Sequence, residues 1–107
     1  MTDFAADLEL AMRMADAADA ISLERFRAQD LKVETKPDAS PVTDADRAVE
    51  LELKRMLAAE RPDDAIIGEE FGNSGSSNRT WIIDPIDGTA NFMRGVPVWG
   101  ALIALAI

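Results

Sequence analysis

An α/β domain is predicted from three observations: two long stretches carry apolar residues at helical spacing, short apolar runs of strand type follow them, and turn residues mark the junctions. With 107 residues and 48% hydrophobic content, the chain makes one small globular domain with a modest core, without the bias of disorder or fibre.

The stretch 4-FAADLELAMRMADAADAISLERF-26 repeats Phe4, Leu8, Met12, Ala15, Ala18 and Leu23 at helical spacing. It reads as a long amphipathic helix capped by Thr2 or Asp3. Met12 and Met14 read as gap-fillers of a core, and Asp3, Asp7, Glu9, Asp16 and Asp19 as a solubilising face. Next, 31-LKVETK-36 alternates Leu31, Val33 and Thr35 with charged neighbours, as a half-exposed strand does, and 37-PDASP-41 is turn chemistry in which two prolines exclude helix.

A second helix is predicted over 42-VTDADRAVELELKRMLAAE-60. Thr43 stands three residues before Asp46 in an N-cap arrangement, and Ala45, Val49, Leu53, Met56 and Leu57 share one face. Arg61 and Pro62 end it. Then 65-AIIGEEFG-72 reads as a short buried strand entering a glycine turn that carries Glu69 and Glu70. The low-complexity 73-NSGSSNR-79 reads as a hairpin-like loop. Strand 81-WIID-84 follows, and 98-VWGALIALAI-107 is an apolar run of strand type. That run has no turn, cap or polar tail, so residues 1–107 are expected to be the N-terminal portion of a longer protein. The chain shows no internal repeat.

Composition narrows the chemistry. The net charge of -9, from 20 acidic and 11 basic residues, argues against nucleic acid and anionic membrane partners and favours a cation. The acidic N-terminus lacks a signal-peptide pattern and no apolar run approaches a bilayer-spanning length, which favours the cytoplasm. Without His, Cys or Tyr, catalysis must run on carboxylates, hydroxyls, Lys, Arg, backbone amides or a metal, and hydrolysis is best served by a metal that acidifies water.

The stretch 81-WIIDPIDGTANF-92 brings two aspartates together. Asp84, Pro85, Ile86 and Asp87 read as a turn in which Pro85 pins φ, and two anions so held repel unless a cation lies between them. A hard divalent cation such as Mg²⁺ takes oxygen ligands, and the Ile86 carbonyl could add one. Gly88 would let the backbone approach a ligand. If 89-TANFM-93 opens a helical turn, the Gly88 and Thr89 amides would face an anion such as phosphate. The purely structural alternative is a strand followed by a proline turn, with Thr89 capping a short helix. Glu69–Glu70, Asp44–Asp46 and the missing histidine shift the balance towards a metal site. Taken alone, the first pair reads as a solvated turn and the second as helix-dipole partners.

The pattern 68-GEE-70 followed by 81-WIIDPIDGTANF-92, with 40-SPVTDADRAVE-50 upstream, resembles the inositol monophosphatase family of Mg²⁺-dependent, lithium-sensitive phosphatases over nearly the whole chain. Within it, 34-ETKPDASPVTDADRAVE-50, 67-IGEEFG-72 and 94-RGVPVW-99 look most like the branch that acts as histidinol-phosphatase, although Ala90 stands where that branch often has lysine. The resemblance implies the N-terminal part of a layered αβαβα sandwich, two or three Mg²⁺ ions, a small phosphorylated substrate and a homodimer. It implies that Glu69, Asp84 and the Ile86 carbonyl hold a first ion, and that Asp84 bridges to a second, which Asp87 also binds. Glu69, Ile86, Asp87, Gly88 and Thr89 would surround the substrate phosphate, Thr89 with Glu69 would orient the attacking water, and Asp46 would stand behind Thr89. The family's third aspartate, in a W-D-x-A-A-type motif, is not in this chain, so residues 1–107 alone are expected to turn over little or no substrate.

Trp99 and Arg94 are candidates for substrate choice, against packing for the Trp and solvation for the Arg. Lys36 could reach the acidic cluster, but a lysine after an alternating strand is usually solvated. Inositol phosphate is the alternative substrate. A metal-binding module without turnover and an α/β interaction domain with merely structural acids are the alternative functions.

Overall fold

Both long helices form, in the computed structural model, which describes residues 4–107. Helix α1 spans Ala5–Arg25 and helix α2 spans Asp44–Glu60. The start of α2 is the predicted one: the Thr43 side chain accepts from the Asp46 amide, and the Asp46 carboxylate accepts from the Thr43 amide at 2.9 Å, a reciprocal cap that satisfies two amides. Its C-terminal cap is Arg61, whose N–H reaches the Leu57 carbonyl at 2.7 Å just before Pro62.

Helix α1 buries a different side from the one its spacing suggests. Asp7, Leu10, Met14, Ala18 and Ser22 face inward, whereas Leu8, Met12 and Leu23 are exposed. Leucines, methionines and alanines lie on several sides of this helix, so more than one stripe satisfies the helical period and docking against α2 selects among them. Asp7 is accordingly not part of a solubilising face. Its Oδ1 accepts from Arg79 at 2.7 Å and from Arg61 at 3.1 Å, pinning α1 to the chain after α2 and to the approach to the central strand. The proposed caps Thr2 and Asp3 lie outside the described residues.

Strands β1 (Val33–Thr35) and β2 (Pro41–Thr43) form an antiparallel ribbon in which Val33 pairs with Thr43. β1 is exposed throughout, and β2 takes Pro41 from the predicted turn and Val42 and Thr43 from the head of the predicted helical stretch, because Pro41 begins a strand readily while α2 waits for its Thr43 cap.

A four-stranded sheet holds β3 (Ala65–Gly68), β4 (Asn73–Ser74), β5 (Thr80–Asp87) and β6 (Gly100–Ala106) in the order β4-β3-β5-β6. β3 pairs antiparallel with β4 but parallel with β5, so 73–79 is not a hairpin loop between β3 and β5. It adds a short edge strand and then carries the chain to the other side of β3. The stretch Asp84–Asp87 is likewise not a free turn. β5 continues through it with a register shift: Asp84 pairs with Leu102 and Asp87 with Gly100, which leaves Pro85 and Ile86 opposite Ala101. This bulge accommodates a proline that has no N–H to give to a ladder.

Both long helices contribute to the main core, where Leu10, Met14 and Ala18 meet Val49, Leu53 and Leu57 over Ile66, Trp81 and Ile83 of the sheet. The Trp81 indole N–H donates to Asp64 at 2.9 Å, so the largest buried side chain is also polar-satisfied. A smaller cluster of Ala45, Ile86 and Phe92 supports the far end of β5 and the short helix α3 (Thr89–Met93). Among the described residues, no helix is long and apolar enough to cross a membrane.

Candidate active site

The parallel pairing of β3 and β5 creates the site. Gly68, the last residue of β3, pairs with Ile83, so Glu69 leaves β3 beside Asp84, from which β5 runs on against β6. In an unbroken strand Asp84 and Asp87, three residues apart, would point to opposite faces. The bulge removes that parity, and both line one polar cavity of ≈ 290 Å³. Glu69, Glu70, Ile86, Gly88 and Thr89 line it too, and Lys36, Ser40 and Pro41 close it from the β1–β2 turn. A larger cavity of ≈ 430 Å³, between the start of α1 and β6, is lined among the described residues mainly by Phe4, Leu8, Trp81, Ile103 and Leu105, with Asp7 as its one charged side chain there.

Asp46 supports this cavity from behind and is wholly buried. Its Oδ2 accepts from the Thr43 hydroxyl at 2.5 Å, and its Oδ1 accepts from the Thr89 hydroxyl at 2.8 Å. Thr89 Oγ1 also lies 3.1 Å from the Ile86 carbonyl. With one hydroxyl proton, Thr89 divides its donation between these acceptors and keeps lone pairs to accept from another group.

Electrostatics mark Asp84 as the centre. Burial, reinforced by the negative charges of Glu69, Asp87 and Asp46, pushes its carboxyl up to about 6, against a smaller lowering by the Ile86 amide. Glu70 is raised by burial and by Asp46 and Glu50, with Lys36 opposing. Lys36 Nζ stands 3.6 Å from Glu70 and 4.0 Å from Glu69, so this lysine belongs to the pocket rather than to open solvent.

Other candidates fall outside the pocket. Asp44 turns away from Asp46 and pairs with Arg25 at 2.9 Å, tying α2 to the end of α1. Trp99 packs edge-on against Phe92, with ring centroids 4.9 Å apart, and lies 5.3 Å from Phe26, which is the packing alternative. Arg94 caps the end of α3 and lines a separate cavity with Arg27 and Val33. Gly88 adopts φ 91, and a Cβ there would sit 3.0 Å from the Val98 carbonyl. Neighbouring backbone therefore requires glycine here whether or not a ligand does.

Residues 4–107 match the model of the inositol monophosphatase family. The chain belongs to that family. It is 57% identical over 105 residues to a histidinol-phosphatase of Streptomyces coelicolor, covering 98% of this chain and 40% of that protein. It is 58% identical over 100 residues to a histidinol-phosphatase of Mycobacterium tuberculosis, covering 92% and 38%. Among solved structures, the extragenic suppressor protein SuhB of Bartonella henselae superposes with a TM-score of 0.86 at 31% identity, covering 95% of this chain and 41% of that one. The chain thus spans about 40% of the length of the relatives it matches, and the fold is the N-terminal part of the family's sandwich.

The family is metal-dependent, and the donors of this family member suit a hard cation. They are carboxylates, a carbonyl and a hydroxyl, all oxygen, around an aspartate whose ionisation its neighbours oppose. Among the described residues, no three acidic side chains are already gathered closely enough to enclose one ion.

Proposed function

We propose that the full-length protein is a Mg²⁺-dependent phosphate monoesterase acting on L-histidinol phosphate, as a homodimer in the cytoplasm. The observation that carries this reading is the meeting of Glu69, Asp84, Asp87 and the Asp46–Thr89 pair at one cavity, in a chain 57% identical to a histidinol-phosphatase. Glu69, Asp84, Asp87 and the Ile86 carbonyl would hold two or three Mg²⁺ ions, with Li⁺ inhibiting. Bound there, Mg²⁺ neutralises charge on phosphoryl oxygens and makes water more acidic.

The protein's own groups do the positioning. Thr89, its proton directed at Asp46 Oδ1 or the Ile86 carbonyl, presents its oxygen as an acceptor for a proton of the attacking water, and Glu69 offers a second acceptor. This fixes the oxygen lone pair of the water towards phosphorus. The Gly88 and Thr89 amides are assigned to the phosphate oxygens.

The test is phosphate release from L-histidinol phosphate and from inositol 1-phosphate, with and without Mg²⁺. Mg²⁺-dependent release favouring histidinol phosphate supports the reading. Preference for inositol phosphate would keep the mechanism and overturn the substrate, and Mg²⁺ binding without release from any phosphate monoester would favour a binding module. Residues 1–107 alone are expected to release little or no phosphate.

A further inference from the structure

Glu50 lies outside the catalytic set and is wholly buried on α2. A buried carboxylate costs several kcal/mol unless partners compensate, and each of its oxygens has one in the segment that carries Glu69. Oε1 accepts from the Glu70 amide at 2.8 Å and Oε2 from the Phe71 amide at 2.6 Å. One helical turn on, Lys54 Nζ stands 3.6 Å from Glu50 Oε2, donates to the Gly72 carbonyl at 3.2 Å and lies 5.8 Å over the Phe71 ring. The end of β3 leaves room for the carboxylate, since a Cβ on Gly68 would come within 2.5 Å of Glu50 Oε2.

We propose that Glu50, assisted by Lys54, is a positioning residue that sets the backbone of the Glu69–Gly72 turn and so presents Glu69 and Glu70 to the pocket. This rests on the reading of that pocket as a Mg²⁺ site. The same helix then fixes both halves of the cavity wall. Its first turn holds Thr89 through Asp46, and its second and third turns hold the turn after β3. Glutamine at 50 keeps the shape but replaces one acceptor by an NH₂ that faces an amide N–H, so the turn loses one bond and gains a donor–donor conflict. Groups that orient metal-binding residues typically matter by about 10- to 100-fold in affinity or activity.

The experiment compares wild type, Glu50→Gln, Lys54→Met and Glu52→Gln in the full-length protein, by calorimetric Mg²⁺ titration and by hydrogen exchange of the Glu70 and Phe71 amides. Glu52 pairs with Arg55 on the exposed side of α2 and serves as the control. Glu50→Gln is expected to raise the Mg²⁺ Kd about tenfold or more and to speed exchange of both amides, Lys54→Met to act in the same direction by less, and Glu52→Gln to change neither. Folded Glu50→Gln and Lys54→Met proteins with wild-type Kd and wild-type protection would overturn the proposal. A purely stabilising role would lower Tm yet leave the Kd of the folded protein unmoved, and would overturn it equally. Should Glu50→Gln not fold, Lys54→Met decides by the same criteria. Wild type without measurable Mg²⁺ binding would instead refute the metal-site reading beneath it.

Discussion

Asp84→Asn is expected to stabilise the metal-free protein at neutral pH while removing its response to Mg²⁺. In the folded chain the Asp84 carboxyl is raised from its ordinary 3.8 to about 6, by burial first and by Glu69, Asp87 and Asp46 next. The unfolded state therefore gives up this proton at lower pH than the folded state does. Between about pH 4 and pH 6 the folded state binds more protons, and stability falls as pH rises through that window. Above it the penalty is complete. At about 1.4 kcal/mol per pH unit the gap corresponds to at most about 3 kcal/mol. The carboxyl is only partly buried, and solvent screening reduces this to about 1–2 kcal/mol. Asparagine carries no charge and keeps an oxygen for the Ile86 amide, so the variant should gain that amount at pH 7.5 in EDTA and only a small part of it at pH 4. Urea denaturation of both proteins at the two pH values reads the difference. A variant no more stable than wild type at pH 7.5, or one that gains equally at pH 4, would refute the assignment of repulsion at Asp84.

Asp7→Asn should cost about 1–3 kcal/mol at pH 7, the value of charge-assisted bonds to Arg79 and Arg61. Although burial opposes it, those two arginines hold the Asp7 carboxyl below its ordinary value, so its contribution is present above about pH 4 and is lost as pH falls through the folded-state value. Denaturation curves of the two proteins should therefore converge at acid pH. Thr43→Ala should cost about 1–2 kcal/mol through loss of the α2 cap, read as a lower urea midpoint with unchanged slope. Gly88→Ala forces a side chain into a left-handed backbone 3.0 Å from the Val98 carbonyl and should cost at least about 1–2 kcal/mol, seen as a drop in Tm.

How much was legible in the sequence depends on whether a local signal existed. The start of α2 was, because Thr43 and Asp46 are three residues apart and their bonds to each other are local. The strand character of 65–68, 81–84 and 100–106 was legible from apolar runs, but the parallel pairing of β3 with β5 was not, since it depends on where 73–79 crosses. The bulge at Pro85–Ile86 is visible only against β6, some fifteen residues away, and it lets both aspartates share a cavity. Asp7 resembled other surface acids, and no local signal marked Glu50, because their arginine and amide partners lie distant in the chain. Lys36 was legible as able to reach the acidic cluster but read as solvated for the same reason: its acidic neighbours arrive from the turn after β3. The carboxylates of the candidate site were singled out by their spacing, the histidine-free composition and the family resemblance, which also set Asp46 behind Thr89, while the support from Glu50 and Lys54 was not.

The most direct measurement is phosphate release from L-histidinol phosphate by the full-length protein in Mg²⁺ and in EDTA, beside Asp84→Asn in the same Mg²⁺. Release that requires Mg²⁺ and falls by at least about a hundredfold in the variant, which should remain folded, is the predicted result. Equal release in EDTA, or an Asp84→Asn protein as active as wild type, would contradict the assignment of this carboxylate cavity as a metal-dependent phosphatase site.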